Sequence, residues 1–241
     1  MTARLDGKVV LVTGAASGIG AAATRLVRDR GGVAIATDIQ GSFDHHLDVT
    51  NPAQWDHVIA SAVAEHGRID GLVSNAGNMS AGMIVDLDME AFRFISRVHV
   101  EGAFNGIQRV VAQMRKQSSP AQGSIVITSS IIGQVPMPGL ASYASAKAAL
   151  SNMAKALGVE LGRKGDFIRV NAVAPGPVRT PLLAGALPAE QFNDPAAFAD
   201  VPLGDAGEPE DVAEMIAFLL SDEASFMTAT VNVIDGGWGL I

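Results

Sequence analysis

Residues 12–20 read VTGAASGIG and continue the apolar run Val9–Val12 without a break. A β-branched run that ends in glycines and reopens as a row of small residues predicts a strand, a tight turn and a helix in succession. Gly14, Gly18 and Gly20 let the backbone turn sharply and approach a ligand closely. The helix that starts beside them aims its free N–H groups and the positive end of its dipole at the same spot. A diphosphate fits there. The spacing is GxxxGxG, not the GxGxxG of the dinucleotide fingerprint, so a turn that only packs strand against helix stays open as an alternative.

Beyond this turn, strands and helices alternate. Short β-branched runs at 9–12, 33–36, 72–74, 124–128, 168–172 and 230–234 lack polar alternation, as strands covered on both faces do. Helical patterns lie between them, at about 18–30, 52–65, 88–115, 142–163 and 209–221. This order predicts an α/β fold with a parallel, doubly wound sheet. At 241 residues, 48% hydrophobic, the chain can form one domain over 1–241. A proline-rich irregular stretch at about 175–208 is long enough to be a functional loop.

Composition removes several classes of partner. With 25 acidic against 17 basic residues the net charge is -8, which repels phosphate backbones and anionic lipid, so no nucleic acid or membrane partner is expected. There are no cysteines, which excludes disulfides and thiolate metal sites and fits a cytoplasmic protein. The start, MTARLDGKVVLVTG, lacks a signal-peptide pattern. Residues 117–146 carry no charge, but Pro120, Pro136 and Pro138 oppose a membrane span. His45 and His46, near Asp44 and Asp48, point to opposite faces if extended, so no metal site is expected.

Asp38 ends the second strand, where a carboxylate can accept hydrogen bonds from ribose hydroxyls. Neither Ser17 nor Ile39 beside it is basic, so a 2′-phosphate would meet a carboxylate alone. NAD is therefore expected over NADP. The short run from Asp38 to LDVT at 47–50 leaves little room for a helix, so this sheet edge is expected to be trimmed.

The segment SYASAKAAL at 142–150 contains the only tyrosine of the chain. Tyr143 and Lys147 stand at i and i+4, on one helix face. A phenol of pKa ~10 is only about 0.1% ionised at pH 7, and half-ionising it takes ~4 kcal/mol. An ammonium about 4 Å away supplies about that much at an effective dielectric near 20. The pair is a plausible general acid/base, although two such residues in isolation are read more readily as a helix-surface pair. Three strand ends supply context: Ser129 and Ser130 after GSIVIT, SNAG at 74–77, and APGPVRTP at 174–181. In an open α/β sheet the carboxyl ends of strands are where ligands bind.

The set TGAASGIG at 13–20, Asp38, SNAG at 74–77, Ser130, YASAK at 143–147, PGPVRT at 175–180 and VNVIDGG at 231–237 resembles the short-chain dehydrogenase/reductase family along nearly the whole chain. The resemblance implies a mostly parallel, seven-stranded, Rossmann-like sheet with helices on both faces, and hydride transfer between a nicotinamide and an alcohol or carbonyl carbon. It implies that Tyr143 exchanges the substrate proton, that Lys147 lowers its pKa and holds the nicotinamide ribose, and that Ser130 orients the substrate oxygen. Gly14, Ser17, Ile19 and Gly20 would cradle the dinucleotide, with Asn75, Ala76 and Gly77 on the adenosine side and Asp48 and Val49 near the adenine. Thr180 and the backbone from Pro175 and Gly176 to Val178 would hold the carboxamide. Family habit also implies a homotetramer.

Two positions depart from the family pattern. VHVEG places His99 where an asparagine is usual, leaving open a structural histidine or a member of the proton relay. Asp205 in PLGDAGEPED replaces a common arginine and is expected to act on loop or subunit contacts. The reading that best fits is an NAD-dependent oxidoreductase of a small, uncharged, moderately hydrophobic secondary alcohol or ketone, walled by Val135, Met137, Leu182, Leu183 and Phe192. The alternatives are an NADP-dependent 3-oxoacyl-(acyl carrier protein) reductase, disfavoured because Gly123 and Ser124 stand where such proteins commonly carry arginine, and a nucleotide-sensing protein on the same fold.

Overall fold

The six apolar runs become strands of one parallel sheet. A computed structural model describes residues 4–41, 43–118 and 121–240, so Pro120 and the first three residues lie outside the described residues. β1 (Val9–Thr13), β2 (Val33–Asp38), β4 (Gly71–Ser74), β5 (Gln122–Thr128), β6 (Phe167–Pro175) and β7 (Val231–Ile234) are joined by a two-residue β3 (His45–His46). The sheet has seven strands in the order β3-β2-β1-β4-β5-β6-β7, and every pair is parallel. Among the described residues β3 pairs only with Thr37 and Asp38, and no helix lies between β2 and β3, so this edge is trimmed as the short connection requires.

The pleat divides the core into two layers. Val9 and Leu11 of β1 face one side, with Trp55, Ile107, Val110, Met114 and Leu150. Val10 and Val12 face the other, with Val27, Val212, Ile216 and Leu219. Successive strand residues therefore enter opposite layers, which is why these strands read as continuous apolar runs. The first layer is built by α2 (Pro52–His66), α4 (Gly102–Gln117) and α5 (Ala141–Arg163), the second by α1 (Gly18–Asp29) and α7 (Pro209–Leu220). Trp55 fits against α4 only because residue 106 is glycine: a Cβ there would lie 2.3 Å from the indole.

The helix expected over 88–115 is not continuous. α3 (Met89–Ser96) and α4 are separated by a π-helical turn, Arg97–Glu101, which contains His99. Such turns re-aim side chains at functional sites; here it accompanies an almost fully buried imidazole. The irregular stretch also proves more ordered than its composition suggests. It holds α6 (Pro181–Ala184), a 3₁₀ turn at Pro195–Phe198, and a small core of Phe198, Val201 and Ala206 joined by Leu183, Leu187 and Trp238. Among the described residues no helix is long and apolar enough to cross a membrane, and no group of three His, Cys, Asp or Glu could hold a metal ion.

Candidate active site

The sheet order reverses between β1 and β4, and the carboxyl ends of these two strands are tied together. Thr13 Oγ1 accepts the Asn75 and Ala76 backbone N–H groups at 2.9 and 3.0 Å, and Asn75 Nδ2 donates to the Thr13 and Gly14 carbonyls at 3.1 and 3.3 Å. These bonds press β4 onto the glycine turn. A Cβ on Gly14, whose φ is +67, would lie 2.9 Å from Ala76 Cα, and one on Gly20 would lie 2.0 Å from the Gly14 carbonyl oxygen. Gly18, at φ +52, has the Thr180 methyl at 2.9 Å from such a Cβ. The turn thus has backbone on one side and the N-terminus of α1 on the other, the form of a phosphate cradle. Ser17 stands exposed at its N-cap with no side-chain cap bond, and Ile19 packs against the second core layer.

Asp38 reaches the same turn. Its carboxylate accepts the Ala16 N–H at 2.9 Å and those of Ile39 and Gln40 at 2.7 and 3.1 Å. Ile39 itself is exposed, and the nearby Arg28 is turned to Asp44 at 3.1 Å. The glycine cradle and a fixed carboxylate beyond it fit a dinucleotide. Asp48 and Val49 use their side chains differently: Asp48 accepts the Thr50 N–H and hydroxyl at 2.9 and 2.7 Å, and Val49 is buried against Gly102.

β5, β6 and α5 assemble the other half. Ser130 follows β5 and is buried; its hydroxyl accepts the Ile132 N–H at 3.2 Å and donates to the Pro175 carbonyl at 3.4 Å. Ser129 Oγ contacts the Lys147 carbonyl at 2.7 Å and Ser151 Oγ at 2.6 Å, and a Cβ on Gly133 would lie 2.8 Å from the Lys147 carbonyl carbon. The segment after β5 is therefore docked on α5 at Lys147. Tyr143 and Lys147 are both buried, and Lys147 Nζ stands 5.5 Å from the phenol ring centroid while donating to the Thr128 carbonyl at 2.7 Å.

His99 meets this pair from the π turn. Its ring stands edge-on to Tyr143 with centroids 5.6 Å apart and planes at 89°. Nε2 faces both the Asn78 carbonyl, at 2.7 Å, and the Asn78 N–H, at 3.1 Å. A neutral ring nitrogen can serve only one of them, and the shorter contact makes Nε2 the donor. Among the described residues Nδ1 is then a buried acceptor with no partner, and Asn78 Oδ1, Thr128 Oγ1 and Ser142 Oγ also have none. A Cβ on Gly77 would lie 2.4 Å from the imidazole, so only glycine lets the segment after β4 lie against His99.

Burial sets the protonation states. It pushes the Tyr143 phenol up to about 12, with the Ser130 hydroxyl opposing, and pulls Lys147 down to about 7. Burial, then the Lys147 charge, lowers His99 to about 3 against the Asn78 bond. The phenol is thus raised where a lowered one was expected. The expectation set a fully charged ammonium beside a solvated phenol; here desolvation acts on both groups, and the ammonium is turned to Thr128.

The turn after β6 closes the site. Gly176 is packed on Asp235, whose Cα would lie 2.7 Å from a Cβ there, and Val178 is buried. Thr180 Oγ1 accepts the Leu183 N–H at 3.3 Å and so caps α6. Arg179 donates to Asp205 at 2.5 Å and to the Ala206 carbonyl at 3.1 Å, and lies over the Phe198 ring at 5.4 Å. Asp205 is therefore a loop contact, one of the two roles its sequence position allowed. Of the expected apolar wall, Met137 and Leu182 are exposed and Leu183 joins the loop core. Sequence reasoning placed Ser129 beside Ser130 at a strand end without giving it a role, and singled out neither Thr13 nor Asn78. Ser129 and Thr13 are small hydroxyl residues at strand ends, a signal that is visible but common; the role of Asn78 exists only through His99.

The family model described as "Enoyl-(Acyl carrier protein) reductase" matches residues 14–239. The 3-oxoacyl-[acyl-carrier-protein] reductase of Thermotoga maritima is 42% identical over 97% of this chain and 98% of its own. Cyclopentanol dehydrogenase of Comamonas testosteroni is 36% identical over 98% of both chains. A solved short-chain type dehydrogenase/reductase from Mycobacterium marinum superposes with a TM-score of 0.87 at 31% identity, covering 98% of this chain and 96% of that one.

Proposed function

The chain belongs to the short-chain dehydrogenase/reductase family, oxidoreductases that use a nicotinamide cofactor on alcohol and carbonyl groups, and from that premise we propose that it is an NAD-dependent dehydrogenase or reductase of a small, uncharged, moderately hydrophobic secondary alcohol or ketone. The observation that carries this reading is the convergence of Ser130, Tyr143 and Lys147, from β5 and one face of α5, in a buried site beside the glycine cradle.

The nicotinamide, when bound, exchanges a hydride with the substrate carbon. Gly14, Ser17, Ile19 and Gly20 would hold its diphosphate end, Asp38 with Ile39 the adenosine ribose, and Asn75, Ala76 and Gly77 the face toward β4. Asp48 and Val49 would offer backbone to the adenine, and Pro175, Gly176, Val178 and Thr180 would face the carboxamide. Lys147 would hold the nicotinamide ribose. Tyr143, protonated at neutral pH with a phenol near 12, gives its proton to the carbonyl oxygen in reduction; in oxidation it must first lose that proton, which a restored charge on Lys147 favours. Ser130 donates to the substrate oxygen and fixes its position. His99 serves as a neutral support, since its pKa near 3 keeps it uncharged at working pH.

The preference for NAD rests on Asp38, held by three backbone donors, with the nearby Arg28 turned to Asp44. A second reading, an NADP-dependent 3-oxoacyl-(acyl carrier protein) reductase, is favoured by the 42% identity to such an enzyme. Against it, a Cβ on Gly123 would lie 2.5 Å from Met114 Sδ, and Ser124 is buried on the Leu219 carbonyl, so neither position can offer a cation to an acidic carrier. We further propose a single domain with its substrate loop at about 175–208, assembled as a cytoplasmic homotetramer. Steady-state rates with a panel of secondary alcohols and ketones and an acyl-carrier β-ketothioester, each with NAD(H) and NADP(H), decide between the readings. Turnover confined to the thioester with NADP(H) would overturn the first.

A further inference from the structure

The tail DGGWG, residues 235–239, touches three separate parts of the site. Asp235 lies against Gly176 of the cofactor turn, and its carboxylate accepts the Gly237 and Gly239 N–H groups, each at 2.8 Å. The Gly236 carbonyl accepts the Leu203 N–H at 3.2 Å, at the end of the substrate loop, and a Cβ on Gly236 would lie 2.6 Å from Val201. A Cβ on Gly239 would lie 2.6 Å from the Ile131 side chain, next to Ser130. Gly236 and Gly237 have φ of +63 and +90, so the turn needs glycine for its conformation as well as its contacts. Between Gly237 and Gly239 stands one large side chain, Trp238, and it packs against the core of the substrate loop made by Phe198, Val201 and Ala206, beside Leu183 and Leu187.

We propose that Trp238 is a specificity-determining residue: its indole props the 181–206 loop at a fixed distance from the Ser130 end of the site and so limits the apolar bulk a substrate can carry. This rests on the dehydrogenase/reductase reading above. The backbone of the tail is fixed on both sides, by Ile131 and by Val201 to Leu203, so the volume of residue 238 sets the spacing of loop and strand end. The indole itself is half-buried against the loop core, where a large aromatic side chain supplies contact area that a smaller residue lacks.

The test compares the unaltered holoenzyme with Trp238→Phe and Trp238→Ala on secondary alcohols graded from propan-2-ol through cyclohexanol to 4-tert-butylcyclohexanol. Trp238→Ala should move the ratio of kcat/KM for the largest over the smallest alcohol by about tenfold or more toward the large one, the scale at which pocket volume discriminates. Trp238→Phe should move it less, and the affinity for NADH should stay within about twofold. A uniform fall for every alcohol, with the ratio unchanged, would overturn the proposal and leave Trp238 a structural prop only. Emission supplies a second readout that holds if the alanine variant does not fold. The chain has two tryptophans, and Trp55 is buried in the core on the Val49 carbonyl, so the difference between the unaltered and Trp238→Phe spectra belongs to Trp238. Cyclohexanone added to the complex with NAD, which has no hydride to give it, should change that difference, and an unchanged difference overturns the proposal. If the unaltered enzyme turns over no alcohol or ketone with either nicotinamide, the dehydrogenase reading fails, while the emission titration still decides on Trp238.

Discussion

At the scale of single residues, Tyr143 and Lys147 were legible because four residues on a helix is a geometric statement, whereas their pKa values were not, because burial is a property of the fold. The buried phenol is raised from 10.0 to about 12. Titrating the protein alone should therefore show no tyrosinate absorbance until well above pH 10, and unfolding in denaturant should return the midpoint to ~10. Because this is the only tyrosine, the signal has one source. A midpoint at or below 10 in the folded, unliganded protein would contradict the burial argument. Tyr143→Phe should lower kcat/KM by at least ~100-fold with NAD affinity preserved, about the range of a lost general acid. Asp38 was equally legible, as an acid ending the second strand. With its carboxylate locked by three N–H groups, NAD should outperform NADP by at least ~100-fold in kcat/KM, about 3 kcal/mol, and Asp38→Ser should narrow that gap. Equal efficiency with both cofactors would remove the assignment.

At the scale of elements, the long strands and their helices follow directly from apolar runs and caps, and what escaped was set by neighbours. β3 is two residues held only by β2, too short for any pattern to announce. The break between α3 and α4 is a π turn around His99, and nothing in the periodicity of 88–115 marks it. The stretch at about 175–208 looks irregular because its order comes from isolated contacts: Thr180 and Asp194 cap short helical turns, and Arg179 joins Asp205, Ala206 and Phe198. Asp205→Arg would set two guanidinium groups against each other at that junction. The expected result is a raised KM for the substrate, by several-fold, with kcat and NAD affinity little changed, because the pair anchors the loop and not the reacting groups. Initial rates over substrate concentration measure it; an unchanged KM would mean that Phe198 and the loop core hold the loop without the ion pair.

At the scale of the whole molecule, the buried site makes stability depend on pH in a direction that composition does not suggest. His99 binds its proton near 3 when folded against 6.5 when unfolded, and Lys147 near 7 against 10.5. In both windows the unfolded chain carries more protons, so stability rises with pH from about 3 to 6.5 through the imidazole and from about 7 to 10.5 through the ammonium. Tyr143 reverses the sign above about 10, where the unfolded phenol ionises and the folded one does not. The protein without cofactor should therefore gain melting temperature from acid pH toward about pH 9–10, well above its isoelectric point near 5.0. His99→Asn should remove the contribution between pH 3 and 6.5, worth a few kcal/mol at the acid limit, and keep activity within about tenfold, since an amide can also donate to the Asn78 carbonyl. Lys147→Met should flatten the alkaline half instead. Melting curves across pH for the three proteins separate these windows. If the acid slope of His99→Asn matches that of the unaltered chain, the imidazole is protonated in the folded state, and its place beside Tyr143 would then be that of a charged group in the proton relay.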